Sequence, residues 1–122
     1  MDAELVREYC LLKHESTEDQ PFGPDVLTFR IGGKIYLLLS LDSFPSQFNV
    51  KCDPERAIDL RAEYPAIIPG HPMNKKHWNT VILDGTLSTD LVHSMIDESY
   101  KIIFGSLPKK KRTEIEARKI DA

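Results

Sequence analysis

Residues 26 to 41, VLTFRI-GG-KIYLLLSL, leave this chain the fewest options. Two apolar runs are joined by Gly32-Gly33, a pair that tolerates the positive φ angles of a tight hairpin turn. Successive side chains of a strand point to opposite faces, so alternation sorts each run in two. In the first run Leu27, Phe29 and Ile31 share one face, with Val26, Thr28 and Arg30 on the other. In the second, Ile35, Leu37, Leu39 and Leu41 stand against Lys34, Tyr36, Leu38 and Ser40. A third run, QFNVKC at 47 to 52, separates Phe48, Val50 and Cys52 from Gln47, Asn49 and Lys51. One apolar and one polar face per strand predicts an antiparallel sheet covered by helices on one side only.

The rest of the chain supplies those helices. Residues 2 to 13 are read as a first helix capped by Asp2, with Leu5, Tyr9 and Leu12 on its apolar stripe. ESTEDQPFGPD, residues 15 to 25, has loop chemistry throughout. Asp53 as N-cap and Pro54 at the first helical position open a second helix along Ala57, Leu60 and Tyr64, stopped by Pro65. AIIPGHP, at 66 to 72, is a short apolar run, and NTVILDG is a further strand turning at Asp84-Gly85. Ser88 caps a long helix through Val92, Met95, Ile96, Ser99 and Ile103, ended by Gly105. The expected fold class is α+β, a two-layer antiparallel sheet backed by helices on one face.

With 122 residues, 41% of them hydrophobic and 29% charged, the chain reads as one ordinary globular domain. No apolar run approaches the roughly 18 residues that cross a bilayer. The start, MDAELVREYC, is acidic and amphipathic where a signal peptide would be basic and then apolar, so a cytoplasmic location is expected. Cys10 and Cys52 are too few for a disulfide framework. Charge is unevenly spread: residues 1 to 100 carry 9 Lys+Arg against 16 Asp+Glu, and residues 101 to 122 carry 7 against 3. A polyanion would therefore have to be met by a local patch.

Catalytic and cofactor chemistry finds little to hold. No G-x-S-x-G elbow surrounds Ser40, Ser43 or Ser46, and Gly32-Gly33-Lys34 lacks the spacing of a phosphate loop. His71 and His77 match no zinc spacing, so neither a metal nor a cofactor is expected. His93 precedes Asp97 by one helical turn and is read as a solvated pair with it.

A basic and aromatic set is more informative. Arg30, Lys34, Tyr36, Asn49 and Lys51 are expected on the uncovered sheet face. NKKHWNTVILDG, residues 74 to 85, adds either Lys76, Trp78 and Thr80 or Lys75, His77 and Asn79, according to register. Cations release counterions from phosphates and rings stack on bases. The plainer account is a solvated sheet face with lysines guarding its edge. Trp78 fits a contact or a core anchor equally. The run Lys109 to Arg112 is most simply a solvated, frayed terminus, with contact to a nucleic-acid backbone as the alternative.

Several motifs together resemble one family. They are G-K-I-Y at 33 to 36, V-K-C-D-P-E-R-A at 50 to 57, Y-P-A-I-I-P-G-H-P-M-N-K-K-H-W-N-T-V at 64 to 81, L-D-G at 83 to 85, D-E-S-Y at 97 to 100 and S-L-P-K-K at 106 to 110. In order and spacing the chain resembles the MmcQ/YjbR family, small bacterial proteins described as predicted DNA-binding proteins with a double-wing motif. The resemblance implies a frataxin/CyaY-like fold over about residues 1 to 110, with 111 to 122 as a basic extension. It also marks Lys34, Tyr36, Lys51, Pro69, Gly70, Asn74, Lys75, Lys76, His77, Trp78, Ser99 and Tyr100 as characteristic positions.

Two functional expectations follow. The first is a non-enzymatic DNA-binding domain that contacts phosphates through Lys34, Lys51, Lys75 and Lys76, with Asn74, His77, Trp78 and Tyr36 completing the patch. The second is a module for a small anionic ligand or a protein partner, using the loop at 69 to 78 and the open sheet face. A monomer with no membrane association is expected in either case.

Overall fold

The computed structural model describes residues 1–70 and 73–120. Its helices are α1 (Ala3–Leu11), α2 (Pro54–Glu63), α3 (Thr89–Gly105) and α4 (Lys109–Ile120). The strands are β1 (Thr17–Asp19), β2 (Val26–Ile31), β3 (Lys34–Ser40), β4 (Gln47–Lys51), β5 (Ile67–Pro69) and β6 (Trp78–Ile82). They form one six-stranded sheet in the order β1-β2-β3-β4-β6-β5, and every neighbouring pair is antiparallel. The expected α+β class is the observed one.

Register shows which side the helices take. Cross-strand partners share a face, so Glu18, Phe29, Leu37, Val50 and Asn79 form one row across the sheet. Arg7 of α1 grips Glu18 at 2.7 and 2.8 Å, and Asn79 donates to the Ala57 carbonyl of α2. Helices at both ends of the row thus cover the same face. Between them α3 buries Val92, Met95, Ile96, Ser99 and Ile103, all five of the residues its spacing predicts.

Caps explain the helix starts. Asp2 accepts from the Leu5 N–H at 2.9 Å, Asp53 from Arg56 at 3.2 Å and Ser88 from Leu91 at 3.1 Å. The stripe of α1 differs from expectation: Val6 and Cys10 are buried, whereas Leu5 is 48% and Leu12 84% exposed. The apolar pattern of α1 tolerates either face, and packing selects the one carrying Val6. Burial raises the Cys10 and Cys52 thiols to about 12, so both stay protonated at neutral pH.

Two stretches expected to be irregular are ordered. Thr17–Asp19 is an edge strand on β2, fastened by Arg7 to Glu18 and by Arg30 to Asp19 at 3.1 Å. Lys109 to Arg112 is not frayed but forms the first turn of α4, which buries Ile115. His14 Nε2 donates to the Ile115 carbonyl at 2.8 Å, and Arg118 meets Glu15 at 2.6 and 2.8 Å. Leu107 packs against Gly32, where an added Cβ would meet its Cδ1 at 2.6 Å. The helix is therefore fixed to the end of α1, and Leu107 just before it rests on the β2–β3 turn.

The largest departure from strict alternation lies in the hairpin. Leu37 pairs with Phe29, but Arg30 pairs with Ile35, leaving Tyr36 as an extra residue on β3. Such a bulge interrupts the two-residue period. Tyr36 and Leu37 are consequently both fully buried. The β3–β4 pairing also stops at Leu37 with Val50. At the next position Ser99 Oγ donates to the Tyr36 carbonyl at 2.6 Å and accepts from the Lys51 N–H at 2.9 Å, bridging the two strands from α3.

Candidate functional site

The loop into β6 is built around four backbone hydrogen bonds and one from the Asn74 side chain. Gly70 donates its N–H to the Trp78 carbonyl at 2.9 Å, and a Cβ on Gly70 would lie 2.8 Å from the Trp78 carbonyl carbon and oxygen. The Asn74 carbonyl accepts from His77 at 3.1 Å and from Trp78 at 2.9 Å, while Asn74 Oδ1 accepts from the Lys76 N–H at 2.9 Å. The His77 carbonyl accepts from Cys52 at 2.8 Å, tying the loop to β4. Gly70→Ala is expected to cost about 1–3 kcal/mol, because its methyl meets rigid backbone. Urea denaturation of the variant checks this; an unchanged midpoint would show that the loop yields.

Within that frame the eight candidate residues separate. Lys75 and Lys76 are exposed, and their ammonium groups have no ion pair or side-chain hydrogen bond among the described residues. Lys51 lies half-buried opposite Trp78 in the β4–β6 register, and exposed Lys34 donates to the Ser106 carbonyl at 3.3 Å. Asn74 and His77 shape the turn through the contacts above. Trp78 is 7% exposed and packed against Gly70, so the anchor role prevails over open contact. Tyr36 does not emerge on the uncovered face: its hydroxyl is 2.6 Å from Ser16 Oγ and donates to the Cys10 carbonyl at 3.3 Å, and its ring meets Tyr100 edge-on at 5.3 Å. His71 lies outside the described residues.

Antiparallel pairing nevertheless gathers the four lysines at one end of the sheet. Lys34 starts β3, Lys51 ends β4 and Trp78 starts β6, and these three strands are adjacent. Two strand spacings separate the outer members, about 10 Å. The first turn of α4 stands at the same end, with Lys111 Nζ 3.8 Å from where a Gly33 Cβ would be.

A second feature, unread from the sequence, lies in the helical layer. The end of α1, the second half of α3 and one face of α4 enclose an open cleft of about 1120 Å³. Lys13, Lys101, Lys109, Arg112 and Lys119 line it, with Asp97 and Glu116 as its carboxylates. Asp97 binds Lys13 and accepts from the Tyr9 hydroxyl at 2.7 Å. Burial pushes the Asp97 carboxyl up, but those two partners outweigh it and hold the group below the usual carboxylate value. His93, expected to pair with Asp97 in solvent, stacks on Tyr9 with ring centroids 3.7 Å apart while its charge still helps hold the Asp97 carboxyl down. Tyr100 donates to the His14 carbonyl at 2.6 Å, which fixes its ring in the wall. None of the described residues of loop 69–78 lines this cleft.

An antiparallel sheet with helices on one face and lysines at one end defines a small α+β domain with cationic accessible surfaces. The chain belongs to the YjbR family, whose family model matches residues 11–102. It is 38% identical over 105 residues to the uncharacterized protein YjbR of Escherichia coli K12, covering 86% of this chain and 89% of that one. It is 36% identical over 95 residues to the uncharacterized protein YbdF of E. coli O157:H7, covering 78% of each. Among solved structures it is similar to Deinococcus radiodurans protein DR2400, described by the family-model domain DUF419. That likeness has a TM-score of 0.89 and 33% identity over 94% of this chain and 88% of that one. A Pseudomonas syringae protein aligns with a TM-score of 0.74 and 30% identity, over 84% of this chain and 99% of its own. Among the described residues no helix is long and apolar enough to cross a membrane.

Proposed function

We propose that this chain is a non-enzymatic nucleic-acid-binding domain that holds the DNA backbone across the sheet end carrying Lys34, Lys51, Lys75 and Lys76. The observation supporting this is the convergence of lysines from three separate stretches of sequence onto adjacent strand ends, with Lys75 and Lys76 free of ion pairs among the described residues. The three strand ends that bring them together span two strand spacings, roughly 10 Å. Because residues 1 to 100 carry 9 Lys+Arg against 16 Asp+Glu, that part of the chain as a whole does not attract DNA. Binding then depends on those few phosphate contacts and falls steeply with salt. Tyr36 is inside the core and Trp78 nearly so, so contact is made by charge and not by stacking.

Fluorescence anisotropy with a labelled duplex, titrated from low to physiological salt, tests the proposal. Four phosphate contacts give a slope of log K against log salt of about −3 to −4, and Lys75→Ala/Lys76→Ala reduces that slope by about 2. No saturable binding at low salt, or an unaltered slope in the double variant, would overturn it.

A further inference from the structure

The cleft between α1, α3 and α4 has a charge imbalance that the described residues do not resolve. Of its two carboxylates, Asp97 is committed to Lys13 and Tyr9. Lys101, Lys109, Arg112 and Lys119 have no ion pair among the described residues, and only Glu116 remains to face them. Lys109 and Arg112 are one turn apart on α4, where like charges repel. The positive end of the α4 dipole adds to the same side at Lys109.

A second observation points to a missing acceptor. Arg112 Nε is buried and has no hydrogen-bond partner among the described residues. Arg112 as a whole is half-buried and lines the cleft, where an oxygen acceptor would pair its guanidinium. The guanidinium presents its donors in a fork that matches phosphate. A single carboxylate would neutralise one of the four free cations and leave the rest. Several adjoining phosphates answer the imbalance better.

The walls add shape to charge. Phe104 and Tyr100 line the cleft half-buried, and the Tyr100 ring is held in place by the His14 carbonyl and by Tyr36. Rings beside a cluster of cations suit a ligand that is planar at one end and anionic at the other. The volume of about 1120 Å³ accommodates a molecule of that kind.

We infer that this cleft binds a multiply phosphorylated small molecule with a planar ring, of the nucleoside di- or triphosphate class. Lys101, Lys109 and Arg112 hold the phosphates, and Phe104 with Tyr100 receives the ring. The site shares no residue with the lysines at 34, 51, 75 and 76, so it stands or falls apart from DNA binding.

Calorimetric titration of the full chain with ADP, ATP, inorganic tripolyphosphate and adenosine tests it. Saturable binding of ADP or ATP is expected, weakened at least tenfold by Arg112→Gln and by Lys101→Ala and unchanged by Lys75→Ala/Lys76→Ala. Phe104→Ala is expected to weaken ADP but not tripolyphosphate. Amide resonances of Lys101, Phe104 and Arg112 should shift on ADP addition in the wild type, which keeps the test decisive if a variant fails to fold. Absence of saturable nucleotide binding would overturn the inference, as would adenosine binding as tightly as ADP. So would loss of binding in the Lys75/Lys76 variant, or an oligonucleotide that displaces ADP with higher affinity.

Discussion

Tyr36→Ala is expected to lower the unfolding free energy by about 3–5 kcal/mol, the range for truncating a large buried ring. The ring is fully buried among α1, α3 and the hairpin, so its loss opens a cavity that those elements cannot close without moving. Tyr36→Phe keeps the packing and removes only the hydroxyl shared with Ser16 and Cys10. Its cost should be about 1 kcal/mol. Urea denaturation of both variants measures the difference. If Tyr36 acted as a surface contact for DNA, the alanine variant would instead keep wild-type stability and lose affinity. The phenylalanine variant is expected to bind DNA as the wild type does.

Ser99→Ala is expected to cost about 2–4 kcal/mol, an unusually large loss for one hydroxyl. Ser99 Oγ serves two backbone groups that lack each other at the point where β3 and β4 separate: the Tyr36 carbonyl and the Lys51 N–H. Alanine would leave both without a partner. Hydrogen exchange at Lys51 provides a local check, since its amide should lose protection well beyond the global change. An amide that stays protected in the variant, with a stability loss under about 1 kcal/mol, would refute this account.

The elements that were legible in the sequence are those whose cause is local. Asp53 with Pro54 and Ser88 each declare a helix start through chemistry within four residues, and α2 and α3 begin there. The β2–β3 hairpin was legible from Gly32-Gly33 and its flanking runs. Tyr36 was misplaced because one bulged residue shifts the alternation, and nothing in KIYLLL marks where that residue falls. β1 was missed because Thr17, Glu18 and Asp19 have no apolar alternation; β2 and two arginines hold the strand from outside.

The candidate site divides the same way. Lys75 and Lys76, expected to extend the uncovered sheet face in one register or the other, are exposed in the turn before β6, a turn held by Asn74 that needs only neighbouring residues. The cleft was invisible because its cations come from positions 13, 101, 109, 112 and 119. They meet only once α4 packs on the end of α1, an association carried by Ile115 and by Arg118 with Glu15. A basic run at a chain end gives no sign of such packing.

The two outer strands, each of three residues, bear on how copies of this chain treat one another. The long apolar strands β3 and β4 sit in the middle of the sheet with neighbours on both sides. A second copy extending the sheet would have to start at β5, where Pro69 lacks an N–H, or at β1, where Glu18 and Asp19 are already gripped by arginines. Among the described residues, fibre growth or strand exchange therefore meets only short edges, and the long apolar strands become a template once an edge is stripped away.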